Sequence, residues 1–400
     1  MKGDRIYVTG MGSISALGMG VEEHLSAIRS GCTGIGAMHY MDSAHNYLPV
    51  GEVKMSNEQM CGVLGLEYDE KYTRTALMGA VALKEALESS GICKGERRHI
   101  ALVSGTTVGG MDKSEKFYKE FLLTDNNTCF IRTQDCGTTT EFASGCYPVF
   151  DMVTTISTAC SSAANAIVFA ADLIRSGRYD IVVAGGSECI SKFHLNGFNS
   201  LFILDKEICR PFDASRAGLN LGEGAGYVVL ESETAVRNRN AGVLCRLSGY
   251  GNACDAFHQT ASSPDGEGAY RSMCKALADS GLTPDMIDYV NAHGTGTPNN
   301  DLSEGTALER VFGAGKVPAV SSTKCYTGHT TSASGGIESV ISILALNHNF
   351  YPVNLGFKTR IEGLSFDPVT DSHAGKELRH VLSNSFGFGG NDTSLIFSKI

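Results

Sequence analysis

No stretch of the chain approaches the ~18 consecutive apolar residues that a membrane span needs. The start, Met1-Lys2-Gly3-Asp4-Arg5, runs directly into an apolar strand pattern and has no leader character. Among 13 Cys no C-x-x-C occurs, and no Cys/His group has zinc-finger spacing. Neither a metal site nor a disulfide framework is expected, and the reading is of a reduced, cytoplasmic protein. Positive charge is also short. Lys+Arg is 33 against Asp+Glu 43, a net charge of -10. A nucleic-acid binder carries a basic excess, so that class is not expected, although a local basic patch for an acidic partner remains open. Nucleotide loops are missing as well. Gly294-Thr295-Gly296 has no Gly-Lys-Thr after it, and Gly222-Glu223-Gly224-Ala225-Gly226 lacks dinucleotide spacing.

What the chain does have is glycine, 47 of 400 residues against a usual ~7%. The glycines sit in short knots that suggest tight turns and close backbone approaches. Apolar residues at 42% and charged ones at 19% mark a globular protein. Short apolar runs such as Arg5 to Gly10, Ile100 to Val103, Asp180 to Gly186 and Gly226 to Glu231 alternate with helical patterns. This predicts an α/β fold with a buried sheet.

The second part echoes the first. Ile100 to Thr107 resembles Ile287 to Thr295, Ile156 to Cys160 resembles Val320 to Lys324, and Asp180 to Glu188 parallels His380 to Asp392. Two related halves, 1–240 and 241–400, are expected. The stretch near 111–150 has no counterpart and reads as an insertion, loop-rich and polar around Thr124 to Gly137.

Four segments could carry chemistry. Cys160 follows a strand pattern, Val153 to Thr158, and precedes small residues and a helical run. A Cys at such a turn meets a helix N-terminus, which favours thiolate. A lone Cys is more often a small buried hydrophobe, and that reading stands for the other twelve. His293 ends a strand and is followed by Gly294 and Gly296, where something can approach the backbone. Lys324 and His329 share one loop, and a cation beside an imidazole keeps it neutral. Phe386-Gly387-Phe388-Gly389-Gly390 offers backbone N–H groups of the kind an oxyanion hole needs. One thiol with two His suggests acyl transfer through a thioester.

Together, Thr158-Ala-Cys-Ser-Ser-Ala163, Arg210-Pro-Phe-Asp213, Leu221-Gly-Glu-Gly-Ala-Gly226, His293-Gly-Thr-Gly-Thr-Pro298, Lys324 to His329 and Phe386 to Gly390 occur in one order. In this the chain resembles, over essentially its whole length, the β-ketoacyl-acyl carrier protein synthases of the elongating type, in the thiolase superfamily. The resemblance implies a thiolase-like five-layer α/β/α/β/α sandwich of two pseudo-symmetric halves. The nucleophile falls in 1–240 and both catalytic His in 241–400. It implies decarboxylating condensation of an acyl group on Cys160 with malonyl-acyl carrier protein, in fatty acid or polyketide/aryl-polyene-type elongation. His293 and His329 would stabilise the enolate, and Lys324 would hold His329. The N–H groups of Cys160 and Phe388 would form the oxyanion hole. Phe388 would gate, with Glu338 and Phe386 in support.

It further implies a homodimer, or a heterodimer with a related subunit, and no cofactor or metal. Lys71, Arg74 and Arg132 are candidates for a basic docking patch for the acidic carrier. The alternative is a non-catalytic partner of the chain-length-factor type, which typically lacks the Cys. A thiolase would need a second Cys after Cys325, and the priming type a Cys-His-Asn set. The sequence departs from the family pattern at Asn299-Asn300-Asp301, at Thr330 to Ser334 and at Asn391-Asp392, where an extra acid enters the gating loop.

Overall fold

A computed structural model describes residues 5–92, 99–124, 126–372 and 377–400. The Met1 to Asp4 start and Asp125 of the expected insertion lie outside the described residues. The strands are β1 (Ile6–Ser15), β2 (Gly18–Met19), β3 (Ile100–Gly105), β4 (Met152–Ile156), β5 (Ile181–Glu188) and β6 (Gly224–Ser232), then β7 (Cys245–Cys254), β8 (Tyr289–Asn291), β9 (Ala319–Ser321), β10 (His380–Gly387) and β11 (Asn391–Ser398). Their order is β4-β3-β5-β6-β1-β7-β11-β10-β8-β9, with the short β2 beside β1. Read inward from either end, the order is the same: two parallel neighbours (β4, β3 or β9, β8), a third parallel strand (β5 or β10), then two antiparallel ones (β6, β1 or β11, β7). The two five-stranded runs meet only where Ile6, Tyr7 and Val8 face Leu247, Arg246 and Cys245.

Five layers result. The helices Ser162–Arg175 and Ser334–His348 pack on each other and fill the middle, the first against β3 and β5, the second against β6 and β10. Arg74–Ser90 covers the outer face at β1 and β6, and Glu267–Ser280 covers it at β7 and β11. The central helix Ser334–His348 is apolar nearly all round and buried from Ser334 to Leu346, as a helix between two sheets must be. Each fully buried Val, Ile or Leu on it contributes about 1.5–3 kcal/mol. Arg74–Ser90 starts where the Thr73 side chain accepts from the Ala76 N–H and stops at Gly91 with φ 70, a left-handed cap that glycine adopts freely.

Around Thr124 to Gly137 the 111–150 stretch departs from the loop-rich expectation. It is helical: Met111–Thr124, Thr128–Ile131 and Cys136–Gly145, with a 3-10 turn at Arg132–Gln134. Its Thr, Gly and Cys are modest helix formers, and packing overrides them. Phe117 stacks on Phe130 with ring centroids 3.9 Å apart. Asp135 accepts from the Gly137 N–H to start Cys136–Gly145, which packs on Arg74–Ser90. Nor are all the remaining cysteines interior, since Cys32, Cys129 and Cys254 are exposed. Cys93 lies outside the described residues.

Candidate active site

β4 stops at Ile156, and the chain turns before the helix that begins at Ser162. The turn is tight: Ala159 has φ 51, a left-handed conformation that costs a non-glycine residue energy. The Ser162 hydroxyl accepts from the Thr158 N–H at 2.9 Å and donates to the Ala159 carbonyl at 2.6 Å. That pins Cys160, which is only 5% exposed.

His329 Nε2 lies 3.1 Å from Cys160 Sγ, and its Nδ1 lies 3.1 Å from Ser334 Oγ. His293 stands edge-on to His329 with ring centroids 5.3 Å apart. Lys324 Nζ donates to His293 Nδ1 at 3.3 Å and is ion-paired with Glu338. An ammonium has only donors, so Nδ1 must accept and the His293 proton sits on Nε2. Lys324 thus holds His293. The expected partner, His329, is held instead by Ser334, which starts the central helix five residues on. Glu304 secures the other side of His293. Its carboxylate accepts the N–H groups of His293 (2.9 Å) and Gly294 (2.7 Å) and the Asn384 amide at 3.0 Å.

Both imidazoles are held well below their usual pKa by burial and by the Lys324 charge, so both are neutral. Burial pushes the Cys160 thiol up to about 11. Lys324 and the N–H groups of Phe388 and of Cys160 itself pull it down only in part. The expected thiolate at a helix start is therefore a thiol here, because desolvation outweighs the local dipole. Glu338 is pushed up to about 7 by burial, partly offset by Lys324.

Phe388 sits in the turn between β10 and β11. Its ring stacks on Phe198 at 5.6 Å, and Phe386 lies 5.6 Å from His293. Gly387 could carry no side chain, since a Cβ would stand 2.8 Å from the Thr158 carbonyl oxygen. Behind the turn, Asn391 Oδ1 accepts from Ser161 Oγ (3.1 Å), Asn165 Nδ2 (2.7 Å) and Asn252 Nδ2 (2.8 Å). Cys160, His293, His329, Phe386 and Phe388 line one cavity of about 380 Å³, with Phe198, Leu201 and Phe202 at its side.

The docking candidates divide. Lys71 and Arg132 are exposed and lie outside the cavity lining. Arg74 is 8% exposed and is no docking residue. Its guanidinium is paired with Glu223 at 2.6 Å and donates to the carbonyls of Met55 and Val53 at 2.9 Å. Ser334, Glu304 and Asn384 escaped the sequence reading. The one available signal was the acid pair Asp301 and Glu304, three apart on the face of a helix that buries Ala307 and Leu308. Among the described residues no group of His, Cys, Asp and Glu is arranged to hold a metal. No described helix is long and apolar enough to cross a membrane.

A thiol and two neutral imidazoles at one buried cavity, with backbone donors on the sulfur, define the class: an acyltransferase working on thioesters. Residues 3–235 match the family described as beta-ketoacyl synthase, N-terminal domain, and residues 244–358 match its C-terminal domain. The chain belongs to the β-ketoacyl synthase family. It is 33% identical to a 3-oxoacyl-[acyl-carrier-protein] synthase 2 of Coxiella burnetii, covering 100% of both chains. Among solved structures it resembles "The ishigamide ketosynthase/chain length factor", with a TM-score of 0.93 at 28% identity over 100% of both chains. It also resembles a type II polyketide ketosynthase in complex with its acyl-carrier protein (AntDE:AntF), with a TM-score of 0.87 at 25% identity, again over 100% of both.

Proposed function

We propose that the protein condenses an acyl group carried on Cys160 with malonyl-acyl carrier protein, with loss of carbon dioxide, to give 3-oxoacyl-acyl carrier protein. In the first half-reaction the Cys160 sulfur attacks the acyl thioester. The thiol proton ends on the departing carrier thiolate, so acyl-S-Cys160 and carrier thiol form together, and His329 keeps its own Nε2 proton. In the second, the bond to the malonyl carboxylate breaks, carbon dioxide departs, and the electron pair moves onto the thioester oxygen. His293 and His329 stabilise that enolate as neutral donors, which needs no prior proton transfer. Its carbon attacks the acyl group, whose oxyanion rests on the N–H groups of Cys160 and Phe388. The carbon–sulfur bond then breaks, and the Cys160 thiolate leaves and takes up one proton from solvent. Lys324 and Glu338 position His293, and Phe388, with Phe386 behind it, gates the cavity.

The observation that carries this reading is the 3.1 Å approach of His329 to Cys160 beside a His293 whose tautomer is set by Lys324. It also disfavours the non-catalytic, chain-length-factor-like alternative. The mirrored strand order and the family boundaries at 235 and 244 support reading 1–240 and 241–400 as two related halves. The likeness to the ishigamide ketosynthase/chain length factor supports a dimer, with itself or with a related subunit. Fatty acid or polyketide-type elongation in the cytoplasm is the setting we infer.

The test is mass spectrometry of the protein after incubation with an acyl carrier thioester. One acyl mass on Cys160 is expected, and Cys160→Ala should lose it while still releasing carbon dioxide from malonyl carrier. An unmodified Cys160, or an adduct on another residue, refutes the assignment.

A further inference from the structure

The turn that carries Phe388 is clasped from one side by the segment after β7. The Asp255 N–H donates to the Gly390 carbonyl, and the Gly389 N–H donates to the Gln259 carbonyl, both at 2.8 Å. Immediately beyond the turn stands Asp392, 6% exposed, on the wall of the same cavity. No hydrogen bond reaches its carboxyl from any described residue. A built recess receives it. A Cβ on Gly268 would collide with Asp392 Oδ2 and stand 2.8 Å from the Asp255 Cβ, so both acids crowd one point that only glycine leaves open.

The Asp255 carboxylate is committed elsewhere, accepting the N–H groups of Ser263 at 2.7 Å and Gly268 at 3.3 Å.

The charged groups that bear on Asp392 are acidic. The segment after β7 contributes Asp255, and the helix Pro298–Phe312 contributes Glu304; both disfavour a second negative charge. His258 and His293 line the same cavity, and His293 is neutral. On the helix Glu267–Ser280 the charges are spent elsewhere: Glu267 pairs with Arg271 and Arg310, and Lys275 donates to the Asn252 carbonyl. β10 and β7 present uncharged partners, Phe386 and Ala253.

We propose that Asp392 is a positioning residue for the gate: its protonated carboxyl lets the Gly387–Asn391 turn close on the Asp255–Pro264 segment, and its ionisation against Asp255 and Glu304 releases that turn. This deepens the gating role given above to Phe388 and rests on it. The sign follows from burial, first, and then from the two facing acids, which push Asp392 up to about 8. Once the turn opens and the carboxyl meets water, its pKa returns to the ordinary ~3.9 of Asp. The closed state therefore binds the proton more tightly. Its advantage falls about tenfold per pH unit from the ordinary carboxylate range up to about 8, and then levels off.

Hydrogen exchange of the Gly389 and Asp255 amides, normalised to intrinsic rates, reads the opening without any substrate. Between pH 6 and 8 wild type should lose about 50-fold in protection at these two amides, and about twofold more before the plateau above pH 8. Asp392→Asn, of the same shape but uncharged, should hold its protection flat. A flat wild-type profile overturns the proposal without any variant, and so does an equal fall in Asp392→Asn. Acyl transfer to Cys160 is followed in parallel across the same pH range. If the exchange transition occurs while no acyl group ever reaches Cys160, the condensing function falls and the proton-controlled turn stands.

Discussion

Lys324→Met separates two consequences of one buried cation. Lys324 and Glu338 are 1% and 3% exposed at their side chains, and Glu338 Oε2 has no hydrogen-bond partner. Removing one member of a buried pair costs about 3–5 kcal/mol. Here the loss should fall at the lower end, about 3 kcal/mol, because Glu338, already pushed up to about 7, takes a proton and becomes neutral. With an unfolding entropy near 2.1 cal/mol/K per residue, that is roughly 3–4 °C in Tm for a chain of this length. The catalytic loss has a different origin. Without Nζ, His293 can carry its proton on Nδ1, and the cavity loses one oxyanion donor, about 10²–10³ in rate. Carbon dioxide release from malonyl carrier measures the second effect and thermal unfolding the first. The double variant Lys324→Met with Glu338→Gln should regain stability and leave the rate low. Decarboxylation within threefold of wild type in Lys324→Met would refute the argument that the lysine sets the His293 tautomer.

Two further outcomes are expected. Cys160 should alkylate with iodoacetamide about 100-fold more slowly at neutral pH than a thiol at its ordinary value of 9.0, and its rate should keep rising with pH beyond 9; peptide mass spectrometry reads this, and a plateau below pH 9 contradicts it. Arg74→Ala strands Glu223, whose side chain is 2% exposed, so it should cost about 3–5 kcal/mol of stability and leave carrier affinity unchanged. Weaker carrier binding at full stability would return Arg74 to the docking surface.

The residues that come together at the cavity were legible because short motifs carry them. Cys160 sits among small residues after a strand, His293 before two glycines, and Phe388 between glycines, and each motif ends or begins an element whose period shows in the chain. The mirrored strand order was legible for the same reason, as a repeated succession of apolar runs and turns.

What escaped depends on partners far away in sequence. Arg74 looks like any surface cation until Glu223, 149 residues on, folds against it. The hand that Lys324 lends to His293 rather than to His329 is decided by where β8 and the loop after β9 end. The thiol was misjudged because a helix start is local and desolvation is not. The helical turns between Thr128 and Gly137 were missed because an aromatic stack and a packed neighbour, not propensity, hold them.

The Asn391 amide joins the chain behind the reactive sulfur to the chain in front of it. It grips Ser161 and Asn165 on the nucleophile's side and Asn252 on β7, and it begins the strand that follows the Phe388 turn. Cys160 and the Phe388 turn thus hang from a single pivot. Their alignment is set across the molecule, by a side chain that stands behind the cavity wall.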